Sequence, residues 1–200
     1  MPDSRNYYFI KPARFDFVLK VKSFHLFNVI LTPQKVEVMK QLILQYAQYT
    51  VWANARISEF IKEEWLDLEM KSSFATIRKT VFHIWDAQHI WLSRLNGLPV
   101  SAGPGKTFTG SFKEACHLWV LSSKELVAFI ESKDESFLLN EITYENLQKA
   151  IFTSKVFEMI MQTCNHATFH RGQLITMLRE AGATELKSTD MITFLRESHT

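Results

Sequence analysis

After Thr32 the chain reads PQKVEVMKQLILQYAQYTVWANARISEFIKEE, about 30 residues with no proline beyond the first position and no glycine. Thr32 and Pro33 read as an N-cap and a first-turn proline, and nothing in the run that follows breaks a helix. Glycine and proline total only 11 residues, 6 and 5, in the whole chain of 200. That is too few for a turn-rich β-sandwich and compatible with long helices. Hydrophobic residues at 46%, including 16 Phe, 5 Tyr and 5 Trp, supply a sizeable core, and 22% charged residues exclude a largely disordered chain.

The remaining sequence continues the helical reading. A second helix is expected from Ser72 or Ser73 through FATIRKTVFHIWDAQHIWLSRLN to a stop at Gly97, followed by Pro99. The stretch LPVSAGPGKTFTG is a loop. Ser111 and Glu114 form an S-x-x-E capping pattern that opens a third helix running to about Ser132. Residues 137–153 read as two short extended pieces around YENLQ. A fourth helix is expected from Ser154 to Ala181, ended by Gly182, and Ser188 or Thr189 caps a short fifth one, TDMITFLRE. The expected fold is therefore all-α: an up-and-down four-helix bundle with one long connection, a short extra C-terminal helix and a small extended or hairpin segment. This domain spans 32–200. Residues 1–31 form an N-terminal extension without an assigned role, in which Phe15, Phe17, Leu19 and Val21 alternate as in a strand.

Charge and cysteine content narrow the function classes. The net charge of +2, from 23 Lys and Arg against 21 Asp and Glu, argues against a nucleic-acid or membrane-surface partner. Cys116 and Cys164 are the only cysteines and make no disulfide framework. The opening MPDSRNYYFIKPARFDF lacks the apolar core of a secretory signal, and no segment reaches the roughly 20 apolar residues of a membrane span. A cytoplasmic location is expected.

The sharpest chemical feature is NHATFHRGQ, residues 165–173. His166 and His170 are four apart and stand on one helix face, where two imidazoles can meet one metal ion. Alone, that spacing also arises on ordinary helices. At about 100° per residue, however, the same stripe carries Met159, Thr163, Gln173 and Met177. Four polar groups in the middle of an apolar stripe need partners if buried, and a metal or a hydrated pocket would supply them. The opposite arc, with Lys155, Glu158, Thr176, Arg179 and Glu180, is better suited to solvent. For a third ligand the second helix offers His83 and His89, about 120° apart. His89 falls within the arc marked by Arg78, Lys79, Asp86 and Ser93, which reads as solvated. His83 shares a stripe with the small residues Thr80 and Ala87, which leave room for an ion, and is the candidate.

Tyr49, Trp52 and Arg56 are spaced to wall a pocket beside the histidines; the plainer reading has Trp52 packed in the core and Arg56 on the surface. Arg171 points about 100° from the histidine stripe and reads as structural. Gly172, costly inside a helix, reads as a site of close packing by another helix. Cys164 lies on the far side of the helix from His166 and is excluded as a ligand.

Three motifs in order, YTVWANARI, HIWDAQHIWLSRLNG and the H-x3-H-R-G-Q run, together resemble the DinB-like superfamily of small bacterial proteins first noted among damage-inducible genes. The resemblance covers roughly residues 39–197 and leaves the first 38 unmatched. It implies a four-helix bundle that binds a divalent metal, usually zinc or nickel, through three histidines, here His83, His166 and His170, and a homodimer. Three neutral imidazoles leave a coordination position open for water or substrate. No Glu stands between His166 and His170 to serve as base, so the arrangement differs from H-E-x-x-H. The resemblance implies an enzyme acting on a small-molecule substrate, either a transferase using a low-molecular-weight thiol or a hydrolase. A basic pocket would favour the first and a narrow neutral one the second. The alternative is a non-catalytic metal-binding stress-response protein.

Overall fold

The computed structural model describes residues 32–100 and 102–198. Five α-helices account for most of them: α1 (Pro33–Ser58), α2 (Ile77–Leu95), α3 (Phe112–Glu131), α4 (Val156–Glu180) and α5 (Met191–Ser198). A two-stranded antiparallel hairpin, β1 (Glu141–Glu145) and β2 (Ile151–Lys155), precedes α4, with Thr143 opposite Thr153. The expected strand near the N-terminus lies outside the described residues. No helix among the described residues is long and apolar enough to cross a membrane.

The helix ends follow local chemistry. Pro33 occupies the first turn of α1, and Thr32 is extended in front of it. The Ser111 hydroxyl accepts from the Glu114 N–H at the start of α3, and Gly182, at φ +104°, lets the chain leave α4. Three boundaries differ from expectation. α1 stops at Ser58, and Glu63–Trp65 form a separate 3-10 turn. α2 begins at Ile77 because Thr76 caps it, its hydroxyl accepting from the Lys79 N–H, so 72–75 form a turn. For α5 the first helical bonds run from Thr193 and Phe194 to the carbonyl of Asp190, not to Ser188 or Thr189.

Side-chain burial assembles α1–α4 into a bundle with an apolar cluster at each end. One holds Ile57, Ile77, Val81, Trp119, Leu174 and Leu178. The other holds Ile43, Leu95, Leu126, Ile130, Met159 and Ile160. Each helix contributes to both, which fixes its direction: α1 and α4 run one way, α2 and α3 the other. α1 packs against α3 and α4, and α2 against the same two, so α1 and α2 are diagonal. The expected long connection is one of three. Residues 59–76 and 132–155 cross opposite ends of the bundle. Residues 96–111 return along α2, which allows α3 to run parallel to it. Asp86 of α2 holds this return segment by accepting from the Gly105 N–H at 2.6 Å. A Cβ at Gly103 or Gly105 would collide with the Asp86 carboxylate.

Between the apolar clusters lies a polar layer to which every helix of the bundle contributes. Arg171 of α4 is only 2% exposed. It donates to Asn54 Oδ1 of α1 at 2.9 Å and to Thr168 Oγ1 at 2.7 Å, and stacks over the Tyr49 ring. Asn54 in turn donates to Ser123 Oγ of α3, and Ser123 donates to Gln88 Oε1 of α2. Asn54, Ser123 and Gln88 are also buried. Arg171 is thus structural, as expected. Gly172 beside it is not a close-packing site: it faces solvent, and a Cβ there would meet nothing within 4 Å.

Removing one partner of a buried charge leaves that charge uncompensated, which costs more than an ordinary hydrogen bond. Asn54→Ala is therefore expected to destabilise the protein by on the order of 3 kcal/mol, and Ser123→Ala by about 1 kcal/mol. Urea unfolding followed by circular dichroism measures both. Equal costs would show that the guanidinium does not depend on Asn54.

Candidate metal centre

The seam between α2 and α4 brings together one ring from α2 and two from α4. His83 Nε2 lies 3.0 Å from His166 Nε2, which lies 3.1 Å from His170 Nε2. All three ligand atoms are within 4.8 Å of one another. His166 and His170 meet because i and i+4 share a helix face. They meet His83 because the buried side of α4, marked by Arg171, turns this face toward α2. His89 is exposed and remote from the cluster's hydrogen bonds.

The surroundings prepare the rings as ligands. Gln173, one turn beyond His170, presents Oε1 to His170 Nδ1 at 2.7 Å, and its amide nitrogen donates to Ser73 Oγ. A carbonyl oxygen only accepts, so with the amide oriented this way Nδ1 carries the proton and Nε2 keeps its lone pair toward the centre. Phe74 stacks on His83 with ring centroids 3.9 Å apart and also touches His170, while Phe169 packs edge-on against His170. Phe74 is delivered by a strained turn: Ala75 has φ 58°, a left-handed conformation that costs a non-glycine residue roughly 1 kcal/mol. Burial, reinforced by His170, lowers the His83 imidazole from its ordinary 6.5 to about 4. Burial first, then His170 and His83, bring His166 to about 4 as well. Both rings are neutral at pH 7, the state a metal requires.

This arrangement passes a simple test of fit. Two nitrogens each about 2.0–2.1 Å from one zinc ion stand roughly 3.4 Å apart in a tetrahedral site, and the His83–His166 and His166–His170 pairs, at 3.0 and 3.1 Å, lie near that spacing. With the His170 proton on Nδ1, its Nε2 can only accept, and a divalent cation of borderline softness would meet the lone pairs of all three rings together.

Not every residue singled out from the sequence joins the cluster. Thr163 is buried, but its hydroxyl is satisfied by the Met159 carbonyl one turn back, so it needs no metal or pocket. Tyr49 donates to the Thr189 carbonyl and packs on Phe194. Trp52 donates to Glu197 and also packs on Phe194, and Arg56 pairs with Glu197. These three hold α5 against α1 and do not wall the histidines. Cys164 is fully buried, its thiol pushed up to about 11 chiefly by burial. Conversely, Asp86 was read as solvated but is half-buried, and burial raises its carboxyl above the usual range despite the Gly105 N–H. With His83, Ala87, Trp91 and Arg94 it lines a cleft of about 390 Å³ running from the cluster along α2, roofed by Asn146–Gln148 of the hairpin turn. Its i+3 spacing from His83 was the available signal; the loop that removes it from water lies some 20 residues downstream.

Comparison with known proteins agrees with this architecture. The chain is 26% identical over 154 residues to Protein DinB of Bacillus subtilis, covering 72% of this chain and 88% of that one. A solved structure of a DinB-like protein from Bacillus cereus superposes with a TM-score of 0.60 at 19% identity, covering 73% of this chain and 94% of the other. A DinB-like protein from Bacillus subtilis gives 0.57 at 17% identity, with coverage of 74% and 97%. The model of the DinB family matches residues 39–197, a span that contains most of α1, all of α2, α3 and α4 and the three histidines, and the chain belongs to that family.

Proposed function

We propose that this protein is a metal-dependent enzyme that uses His83, His166 and His170 to hold a divalent ion, zinc or nickel, and transfers a small-molecule thiol to an electrophile. The observation that carries this reading is the convergence of three ring nitrogens, one of them from His83, which lines the cleft along α2. A site of three nitrogens with space beside it leaves a coordination position for an exogenous ligand, unlike the closed sites that serve structure alone. When bound, such an ion supplies Lewis acidity that lowers the pKa of a thiol or a water.

The chain's own residues do the rest. Gln173 holds the His170 ring and its tautomer. Phe74 stacks on His83 and Phe169 packs edge-on against His170, limiting how far those rings can turn. The basic residues Arg94 and Lys106 on the cleft wall favour an acidic thiol over a neutral hydrolytic substrate. Asp86 supports a second reading, a hydrolase, because a half-buried carboxylate near the histidines can take a proton from water; its Gly105 bond and its place holding the return segment argue for structure instead. A non-catalytic metal-binding stress protein is the third reading, and the adjoining cleft disfavours it.

Metal analysis of untagged protein tests the site. About one divalent ion per chain is expected, with strong loss in His83→Ala and His170→Ala and full retention in His89→Ala. Gln173→Leu, which releases the His170 ring, is expected to weaken metal affinity about 10–100-fold. Full metal content in either ligand variant would remove that histidine from the set.

The titration of the rings gives a second expectation. In the unfolded chain these histidines protonate near 6.5, whereas His83 and His166 in the fold do so near 4. Between those values the unfolded state binds more protons, so their contribution to stability is present above pH 6.5 and is lost as pH falls toward 4. Thermal melts of metal-free protein across this window, compared with a His83→Gln/His166→Gln variant, report it: the wild type loses stability more steeply. Parallel curves would contradict the burial of the rings.

A further inference from the structure

Arg94 lies on the last turn of α2, in the same cleft as His83. It is 8% exposed. Its guanidinium lies against both Trp91 and Tyr144, 4.8 and 4.9 Å from ring centroids that are themselves 5.4 Å apart. Among the described residues its side chain makes one hydrogen bond, a long one of 3.3 Å from Nη2 to the Glu145 carbonyl, and Nε is buried with no partner. Among the described residues no carboxylate pairs with it: Glu145, whose carbonyl it reaches, gives its carboxylate to Lys149 instead. A buried cation normally has an anion or several acceptors beside it. Arg171, the other buried arginine of the bundle, has two side-chain acceptors; Arg94 has none.

The position of this unmatched charge is informative. His83, Ala87, Ile90, Trp91 and Arg94 form one stripe along α2, all lining the 390 Å³ cleft. Eleven residues of helix separate the ends of the stripe by about 16 Å, and the Arg94 side chain leans back toward the histidines and shortens the span. The floor between them is apolar, from Ala87, Ile90 and the Trp91 ring. The geometry points to Arg94 as the anion-recognition residue of this cleft, binding a carboxylate or phosphate at the end of an elongated small molecule whose other end reaches the three histidines. This deepens the reading above, on which it rests for the chemistry at the histidine end. The planar fork of the guanidinium suits two oxygens of one anion, and the flanking rings hold it in place before the ligand arrives. Arg94 also borders a second cleft, of about 590 Å³, beneath the hairpin, from which a ligand could not touch the histidines.

Calorimetric titration of the metal-free, full-length chain with octanoate, octyl phosphate and neutral octanamide tests the assignment. The wild type is expected to bind an anion roughly ten- to a hundredfold tighter than the amide, the range for a hydrogen bond to a charged group. Arg94→Gln should bind all three alike, and Arg94→Lys should keep a reduced preference. The tighter of octanoate and octyl phosphate identifies the group recognised. Equal binding of all three by wild type, or an undiminished preference in Arg94→Gln, overturns the proposal; a purely structural arginine gives one of those results. Should Arg94→Gln fail to fold, the Arg94 Nε–H resonance of the wild type must shift with octanoate and not with octanamide, and a resonance indifferent to both overturns it equally. A second arm uses cobalt-loaded protein and ω-mercaptooctanoate, whose sulfur gives a thiolate-to-cobalt absorption band only if it reaches the histidine centre. An anion preference without that band sinks the thiol reading or places the ligand in the second cleft, and so overturns the assignment to this one. Loss of cobalt binding sinks the metal site while leaving the anion measurement to stand or fall alone.

Discussion

A guanidinium buried in the middle of a helical bundle is the constraint from which the rest follows. Moving such a charge out of water costs several kcal/mol even after relaxation, so Arg171 is tolerable only where acceptors meet it. Asn54, Thr168 and the face of Tyr49 do so, and Asn54 passes the requirement on through Ser123 to Gln88. The four helices are thereby tied at one level by directional bonds, whereas the apolar clusters above and below would allow some rotation or slip. Because Arg171 is adjacent to His170, fixing the guanidinium toward the core fixes the histidine face of α4 toward α2. Gln88 does the same for α2, with His83 little more than one turn before it. The polar layer sets the azimuth of both helices that carry the metal ligands.

The path of the chain follows from the same arrangement. With α2 and α3 parallel, the 96–111 segment must travel the length of α2, and a backbone lying on a helix needs its polar groups met. Asp86 meets one of them, and glycines at 103 and 105 give the close approach. This segment and the turn of the hairpin rise on either side of the α2 stripe and make a groove of what would otherwise be an open helix face. The cleft is a by-product of topology, and it begins where the histidines are.

At the centre itself, local strain and second-layer hydrogen bonds divide the work. The left-handed Ala75 throws Phe74 over His83, and Gln173 anchors His170 to Ser73 in the turn before α2. The 72–75 turn therefore touches ligands from both helices. Both phenylalanines that flank the site and the burial that keeps His83 and His166 neutral serve one end: ring nitrogens free of a second proton near pH 7 and gathered at one point.

Much of this was legible in the sequence. The breaker-free run after Pro33, the Ser111 cap and the glycines after α2 and α4 determined where four helices lie, because capping and turn preferences act over a few residues. The i, i+4 histidines and Gln173 were legible for the same reason: helical periodicity alone puts them on one stripe. His83 could be preferred over His89 from the polarity of a single helix. What only the tertiary structure decided are the matters that depend on which distant segment covers a face. Tyr49 and Trp52, on a face that reads equally as pocket wall or core, are claimed by α5 more than 130 residues away. Asp86 looked solvated until the return segment lay on it. Nothing in the sequence singles out Arg94; the hairpin does, by placing Tyr144 against it. Periodicity reports the side of a helix on which a residue stands; the energy of that residue depends on what the folded chain brings to that side.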